Sequence, residues 1–167
     1  MEMDQGILAA IGRVVVEATS LEWTLAGPVA ARQGWDGHQE TAAAARSGAV
    51  RRQLSDLASS DPDWDAIQGL NHKAGALLDE RNRLVHSVVV SITDDDYEHR
   101  GYGLWHTRSG SRPLPSVDEL LRLASDLNRC VVAAAMTHPD AEERFERLGA
   151  VDRPRPPKAP SDGPATA

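Results

Sequence analysis

The chain has 167 residues, of which 41% are hydrophobic and only 4% aromatic, and its formal net charge is −7. This length suits one domain and argues against an enzyme with a separate cofactor domain. The scarcity of aromatic residues and the abundance of alanine favour closely packed helices over a β-sandwich or barrel. The acidic charge disfavours indiscriminate binding to nucleic acid, which depends on neutralising phosphates.

The first predicted element is a long helix from Asp4 to about Arg32. Asp4 is its expected N-cap, Gly34 is its expected stop, and the Gly27-Pro28 pair is expected to kink or break it. Apolar residues recur at helical spacing, and the face that they predict to be buried comprises Ile7, Leu8, Ile11, Val14, Val15, Ala18, Leu21 and Leu25.

Two more helices are predicted after a connector over residues 35–39. One covers residues 40–59, and the other runs from the helix-start pair Asp61-Pro62 to about His86. In the first of these, Gly48 is expected to permit a close helix contact, and Arg51 and Arg52 are expected to project into solvent. The buried face of the second is predicted to comprise Ile67, Leu70, Ala74, Leu77 or Leu78, and Leu84.

The hydrophobic period changes after residue 86. Residues 87–93 are rich in β-branched side chains and, together with residues 102–108, predict a two-stranded hairpin with an acidic turn. A turn-rich loop is expected over residues 109–115. Ser116 and Glu119 then form an S-x-x-E capping box that opens a fourth helix over about residues 117–137. Its predicted inward face comprises Leu120, Leu123, Ala124, Leu127, Val131 and Ala134.

The predicted architecture is all-α: a four-helix bundle with a small β-hairpin, about residues 87–108, inserted between helices 3 and 4. It occupies residues 1–149, with a short helix near residues 140–149, and the Pro-rich tail over residues 150–167 is expected to be disordered. No apolar run approaches the roughly 20 residues of a membrane span, and no basic signal-peptide region is seen. We therefore expect a cytoplasmic protein without a membrane partner.

Few residues outside one segment carry recognisable chemistry. Cys130 is the single cysteine and lies in an apolar helical run, so we interpret it as a core residue rather than a nucleophile. The histidines show no metal-ligand spacing and no phosphate-cradling glycine loop is present, so neither a metal nor a cofactor is expected. Trp105, on the hairpin, is the tryptophan best suited to a partner surface.

The exception is the segment from Arg81 to His86, at the end of the third predicted helix. Asn82 and His86 are four residues apart and share a face, whereas Arg81 and His86 lie about 140° apart on an ideal helix. Arg81 and His86 can therefore serve one site only if the helix ends near His86 or if two subunits share the site. A structural interpretation is also open, because Asp79 and Arg83 suit an i,i+4 ion pair and a histidine is favourable at a helix C-terminus.

The segment has the form R-N-x-x-x-H and resembles the signature of the HEPN superfamily. The resemblance implies a small, usually dimeric helical bundle of the kind found in metal-independent endoribonucleases of toxin–antitoxin and phage-defence systems. It gives His86 the role of general acid or base and Arg81 that of a phosphate clamp. Asn82 would orient His86 or bind a phosphate oxygen, and Arg83 would add attraction to RNA.

This resemblance also implies an RNA substrate whose own 2′-hydroxyl is the nucleophile, and a product with a 2′,3′-cyclic phosphate. Two copies of the motif would form one cleft in a homodimer, and a cognate antitoxin or other partner protein is implied. One position departs from a toxin subgroup of the family, in which a tyrosine that can be modified follows the histidine by two residues. Val88 stands there, which removes the main support for a nucleotidyltransferase partner.

Two interpretations without catalysis remain open. The chain could be a helical dimerisation or partner-binding module in which Arg81 and His86 are structural residues. It could also be an acidic, antitoxin-like protein that neutralises a basic partner.

Overall fold

The protein is mostly helical in the computed structural model, which describes residues 4–60, 65–93, 99–107 and 110–136. The elements in chain order are α1 Gln5–Gln33, α2 Gly37–Ala44, α3 Ser47–Ser60, α4 Asp65–Val85, β1 Val88–Thr93, β2 His99–His106, β3 Gly110–Pro113 and α5 Val117–Met136. The Asp61-Pro62 helix start, the acidic turn at residues 94–96, the short helix near residues 140–149 and the Pro-rich tail lie outside the described residues.

Helix α1 begins and ends as its sequence predicts. The Asp4 carboxylate accepts a hydrogen bond from the Gly6 N–H at 2.6 Å, and Gly34 ends the helix in the left-handed region at φ 65°. The predicted break at Gly27-Pro28 is wrong, because the helix is continuous through Pro28. Every residue from Leu25 to Ala30 is buried, so packing on all sides holds this part helical despite the hydrogen bond that proline cannot make.

The single helix predicted over residues 40–59 is two helices, α2 and α3. Helix α2 begins inside the predicted connector because Asp36 caps it. The Asp36 carboxylate accepts from the N–H groups of His38 and Gln39, and the Gln39 side chain accepts from the Asp36 N–H at 3.1 Å. A D-x-x-Q capping box thus sets the start of α2, and the chain turns at residues 45–46 before α3.

Helices α3 and α4 meet at a glycine, but not at the predicted one. A Cβ added at Gly48 would meet no atom within 4 Å, whereas one added at Gly75 would collide with the Arg51 guanidinium. Arg51 therefore lies across α4 instead of projecting into solvent, while Arg52 is exposed as expected. The buried Asn71 amide donates to the Arg51 carbonyl at 2.8 Å and holds the same two helices together.

The hairpin is confirmed and gains a third strand, so the sheet is antiparallel in the order β1-β2-β3. Val88 lies opposite Trp105, and Gly103 lies opposite Pro113 of β3. The prediction of a loop over residues 109–115 is wrong at Gly110–Pro113, which form the strand β3. The sequence did not reveal this strand because it is too short and too polar to show the alternating apolar pattern of a strand. Leu104 anchors the sheet in the core at 2% exposure.

The most extensive helix contact joins α1 to α5. A Cβ added at Gly6 would lie 3.7 Å from the Val117 side chain, and the Asn128 amide donates to the Glu17 carboxylate at 2.9 Å. The two helices therefore run parallel. The Ser116 capping box of α5 is confirmed by its hydrogen bonds.

No helix in the described ranges is long and apolar enough to cross a membrane.

The predicted core is largely confirmed. Leu8 and Val15 are exceptions, because they are 50% and 37% exposed on the outer side of α1. Cys130 is buried, as expected, and burial is the main cause that raises the pKa of its thiol. The predicted core residues that are buried are Val14, Ala18, Leu21, Leu25, Ile67, Ala74, Leu78, Leu84, Leu120, Ala124, Leu127 and Ala134. Those that are only half-buried are Ile7, Ile11, Leu70, Leu77, Leu123 and Val131.

Candidate functional site

Helix α4 ends where the sequence predicts, and His86 lies in the turn that follows it. The His86 N–H donates to the Asn82 carbonyl at 3.0 Å, the Ser87 hydroxyl donates to the Arg83 carbonyl, and β1 begins at Val88. The His86 side chain is exposed. Within the described ranges, no hydrogen bond or ion pair engages its imidazole, so the ring is accessible for proton transfer.

Asn82 is half-buried one helical turn before His86. Its side chain also has no hydrogen-bonding partner in the described part of the chain. Arg83 is exposed, and its guanidinium bonds Glu80 at 3.2 Å rather than the expected Asp79. The helix end therefore presents the imidazole of His86, the amide of Asn82 and the guanidinium of Arg83, which is hydrogen-bonded to the Glu80 carboxylate.

Arg81 forms a mostly buried ion pair with a neighbouring helix. Its Nη2 atom donates to the Glu22 carboxylate of α1, and the side chains of Arg81 and Glu22 are only 16% and 13% exposed. The Arg81 Nε atom is buried and has no hydrogen-bond partner among the described residues. The structure thus joins Arg81 to α1, while His86 lies exposed at the end of α4, and no hydrogen bond links the two side chains within the described residues.

A second charged cluster connects α4 to the sheet. Glu80 accepts from Arg83 of its own helix and from Arg112 of β3. The Arg112 Nη2 atom is buried, and no residue in the described ranges is its hydrogen-bond partner. Sequence reasoning missed both Glu22 and Arg112, because these partners lie 59 and 32 residues from the residues that they bind and no local pattern marks them.

A cavity of about 310 Å³ lies beside the motif, and Leu84 is the one residue of the segment from Arg81 to His86 among its lining residues. Glu80, Leu84 and Arg112 line it from α4 and β3, and Leu120 and Leu123 line it from α5. Arg81, Asn82 and His86 do not contribute to its walls. The candidate catalytic side chains therefore lie outside this cavity, with His86 on open surface.

The described ranges contain no group of three or more side chains that could hold a metal ion. The side chains at the end of α4 that can take part in proton transfer or phosphate binding are those of His86, Asn82 and Arg83. An imidazole can exchange a proton near neutral pH, and a guanidinium can bind a phosphate through two parallel hydrogen bonds.

Comparison with known proteins adds no assignment. No protein-family model matches the chain. No curated protein and no solved structure matches it significantly.

Proposed function

We propose that the chain is a HEPN-like, metal-independent endoribonuclease whose helices form the four-helix bundle of that family and which acts as a homodimer. The observation that carries this proposal is the exposed His86 imidazole in the turn that ends α4, with Asn82 one turn before it. A general acid or base must be reachable by substrate, and an exposed side chain at a helix end meets that condition.

The proposed reaction uses the substrate's own nucleophile. His86 accepts the proton of the RNA 2′-hydroxyl, and the 2′-oxygen attacks the adjacent phosphorus. The bond to the 5′-oxygen breaks, and that oxygen takes a proton from an imidazolium, which a second copy of the chain supplies across the dimer. The products are a 2′,3′-cyclic phosphate and a free 5′-hydroxyl. DNA is not a substrate because it lacks the 2′-hydroxyl.

The contact between Arg81 and Glu22 sets a condition on this mechanism. To clamp a phosphate, the Arg81 guanidinium must exchange the Glu22 carboxylate for a phosphate oxygen. Glu22→Gln replaces the competing anion with a neutral amide. We expect this variant to bind RNA severalfold more tightly and to retain cleavage. Unchanged RNA affinity in a folded Glu22→Gln protein would remove Arg81 from the phosphate site.

The first experiment compares cleavage of mixed cellular RNA in EDTA by the wild type, His86→Ala and His72→Ala. His72 is an exposed histidine on the same helix and provides the matched control. Loss of an acid–base group is expected to slow cleavage by roughly 10²–10⁴ in His86→Ala, with no change in His72→Ala. Cyclic phosphate ends identify the reaction. Equal cleavage by the wild type and His86→Ala would contradict the proposal.

A second candidate is a non-catalytic helical partner-binding module, and the mostly buried ion pair between Arg81 and Glu22 favours it. In this alternative, Arg81 fastens α4 to α1 and has no role in RNA chemistry. Absence of RNA cleavage by the wild type, together with loss of stability in Arg81→Ala, would support this second candidate over the first.

A further inference from the structure

We propose that a second copy of this chain packs antiparallel against the outer side of α1 and forms a homodimer there. The contact surface, here called the α1 stripe, comprises Leu8, Gly12, Val15, Val16, Thr19 and Trp23. Apart from the adjacent pair Val15 and Val16, these residues follow one another at spacings of three and four along one face of the helix. The stripe is exposed, with Leu8 at 50%, Val16 at 63% and Trp23 at 45%.

Gly12 makes no close contact that would call for a glycine within the described residues. A glycine inside a helix costs about 1 kcal/mol relative to alanine, and a Cβ added here would meet no atom within 4 Å. Against a second helix, however, the missing side chain lets the two backbones approach closely. Gly12 therefore fits a helix contact that the described part of the chain does not make.

The hydroxyl groups in and beside the α1 stripe already have hydrogen-bond acceptors. The Thr19 hydroxyl donates to the Val15 carbonyl at 2.8 Å, and the Ser20 hydroxyl donates to the Val16 carbonyl at 3.0 Å. Covering these groups would leave no hydroxyl donor without a partner, so burial does not carry the usual desolvation penalty. The stripe can be buried as an apolar surface.

The arrangement of side chains favours a second copy as the occupant. Leu8 precedes the point between Val15 and Val16 by as many residues as Trp23 follows it, and the same holds for Gly12 and Thr19. Two antiparallel stripes would therefore match each Trp23 with a Leu8 and set the small residues side by side around a two-fold axis.

The charge distribution agrees with this occupant. The α1 stripe carries no ionisable side chain, so two chains of net charge −7 meet there without facing like charges. A partner selected by basic charge would need acidic side chains in the stripe. The stripe is about 23 Å long at ~1.5 Å per residue, and one helix face is narrower than the ~800 Å² per partner of a standard interface. We therefore expect a weak, concentration-dependent dimer.

Analytical ultracentrifugation over a range of concentrations tests the proposal, which does not depend on the proposed nuclease activity. The wild type is expected to form dimers, and Val16→Arg is expected to remain monomeric. Val132→Arg is the matched control, because Val132 is 56% exposed on α5, outside the stripe. Circular dichroism verifies that both variants fold. A monomeric wild type, or dissociation by Val132→Arg alone, would overturn the proposal. Residues after Met136 or another protein would then be the candidates to cover the α1 stripe.

Disulfide crosslinking tests the direction of packing. Two Val16→Cys side chains would lie near the two-fold axis and are expected to link two chains under oxidation. Two Leu8→Cys side chains would lie about 20 Å apart in an antiparallel pair and are expected not to link. Native Cys130 is buried and does not compete. Efficient linking through Leu8→Cys, or none through Val16→Cys, would overturn the antiparallel arrangement.

Discussion

Arg81 and Glu22 are the two charged residues whose environment matters most for the interpretation of the motif. Because both side chains are mostly buried, removal of one leaves the other desolvated and unpaired. The pair retains some contact with solvent, so we expect Arg81→Ala and Glu22→Ala each to lower the free energy of unfolding by about 1–3 kcal/mol. Urea denaturation measures these losses.

The double variant provides the control for this prediction. If the two side chains stabilise the protein through each other, Arg81→Ala with Glu22→Ala should cost clearly less than the sum of the single losses. Additive losses would show that the two side chains act independently, and would weaken the structural explanation for Arg81.

At the same scale, the sequence predicts the end of α4 and the shared face of Asn82 and His86, because both depend on local spacing. It does not predict that Arg81 is bound to Glu22, since that contact joins residues 59 positions apart. The exposure of His86 follows from the helix end, whereas the burial of Arg81 follows from how α4 packs on α1. The exposure of His86 can therefore be predicted from local sequence, whereas the burial of Arg81 depends on tertiary packing.

At the scale of elements, two glycines of α4 offer a matched comparison. A Cβ at Gly69 would meet no atom within 4 Å, whereas a Cβ at Gly75 would collide with the Arg51 guanidinium. Gly69→Ala is expected to raise the free energy of unfolding by about 0.5–1 kcal/mol. Gly75→Ala should gain less or destabilise the protein, and should recover the gain in an Arg51→Ala background. Equal effects of both single variants in thermal or urea unfolding would refute the proposed contact.

The start of α5 has its own pH dependence. Hydrogen bonds from the Ser116 N–H and hydroxyl lower the pKa of the Glu119 carboxyl. A lowered pKa in the folded state means that this stabilisation is present above the ordinary carboxyl pKa and is lost as pH falls through the lowered value. The stability difference between the wild type and Glu119→Gln should therefore shrink in that acid range, as measured by urea unfolding at several pH values. A difference that is constant with pH would contradict this role.

The elements themselves show where sequence patterns are sufficient. Helices α1, α4 and α5 have long apolar periods, and their described ends match local capping or turn signals. The split between α2 and α3 and the third strand were missed because each depends on a short segment without strong periodicity. The predicted break at Pro28 failed because burial around residues 25–30 outweighs the local preference.

At the scale of the whole molecule, net charge and the α1 stripe make opposing contributions to self-association. Two chains of charge −7 repel each other, while the stripe itself is uncharged. Added salt screens the repulsion and leaves apolar contact intact, so we expect the dimer to tighten as ionic strength rises. Sedimentation at low and high salt measures this change. Dissociation at high salt would indicate an interface held by ion pairs instead.

The parallel pairing of α1 with α5 has a consequence for how the chain folds. Glu17 and Asn128 are 111 residues apart, and the most extensive helix contact joins the first helix to the last one described. Closing a loop of that length costs conformational entropy, and the contact offsets this cost only once it has formed. Contacts between residues distant in sequence therefore slow folding. During synthesis on the ribosome, α1 is made before α5. The face of α1 that packs on α5 therefore stays uncovered until α5 has been synthesised. A nascent chain halted before residue 117 would expose that face to chaperones.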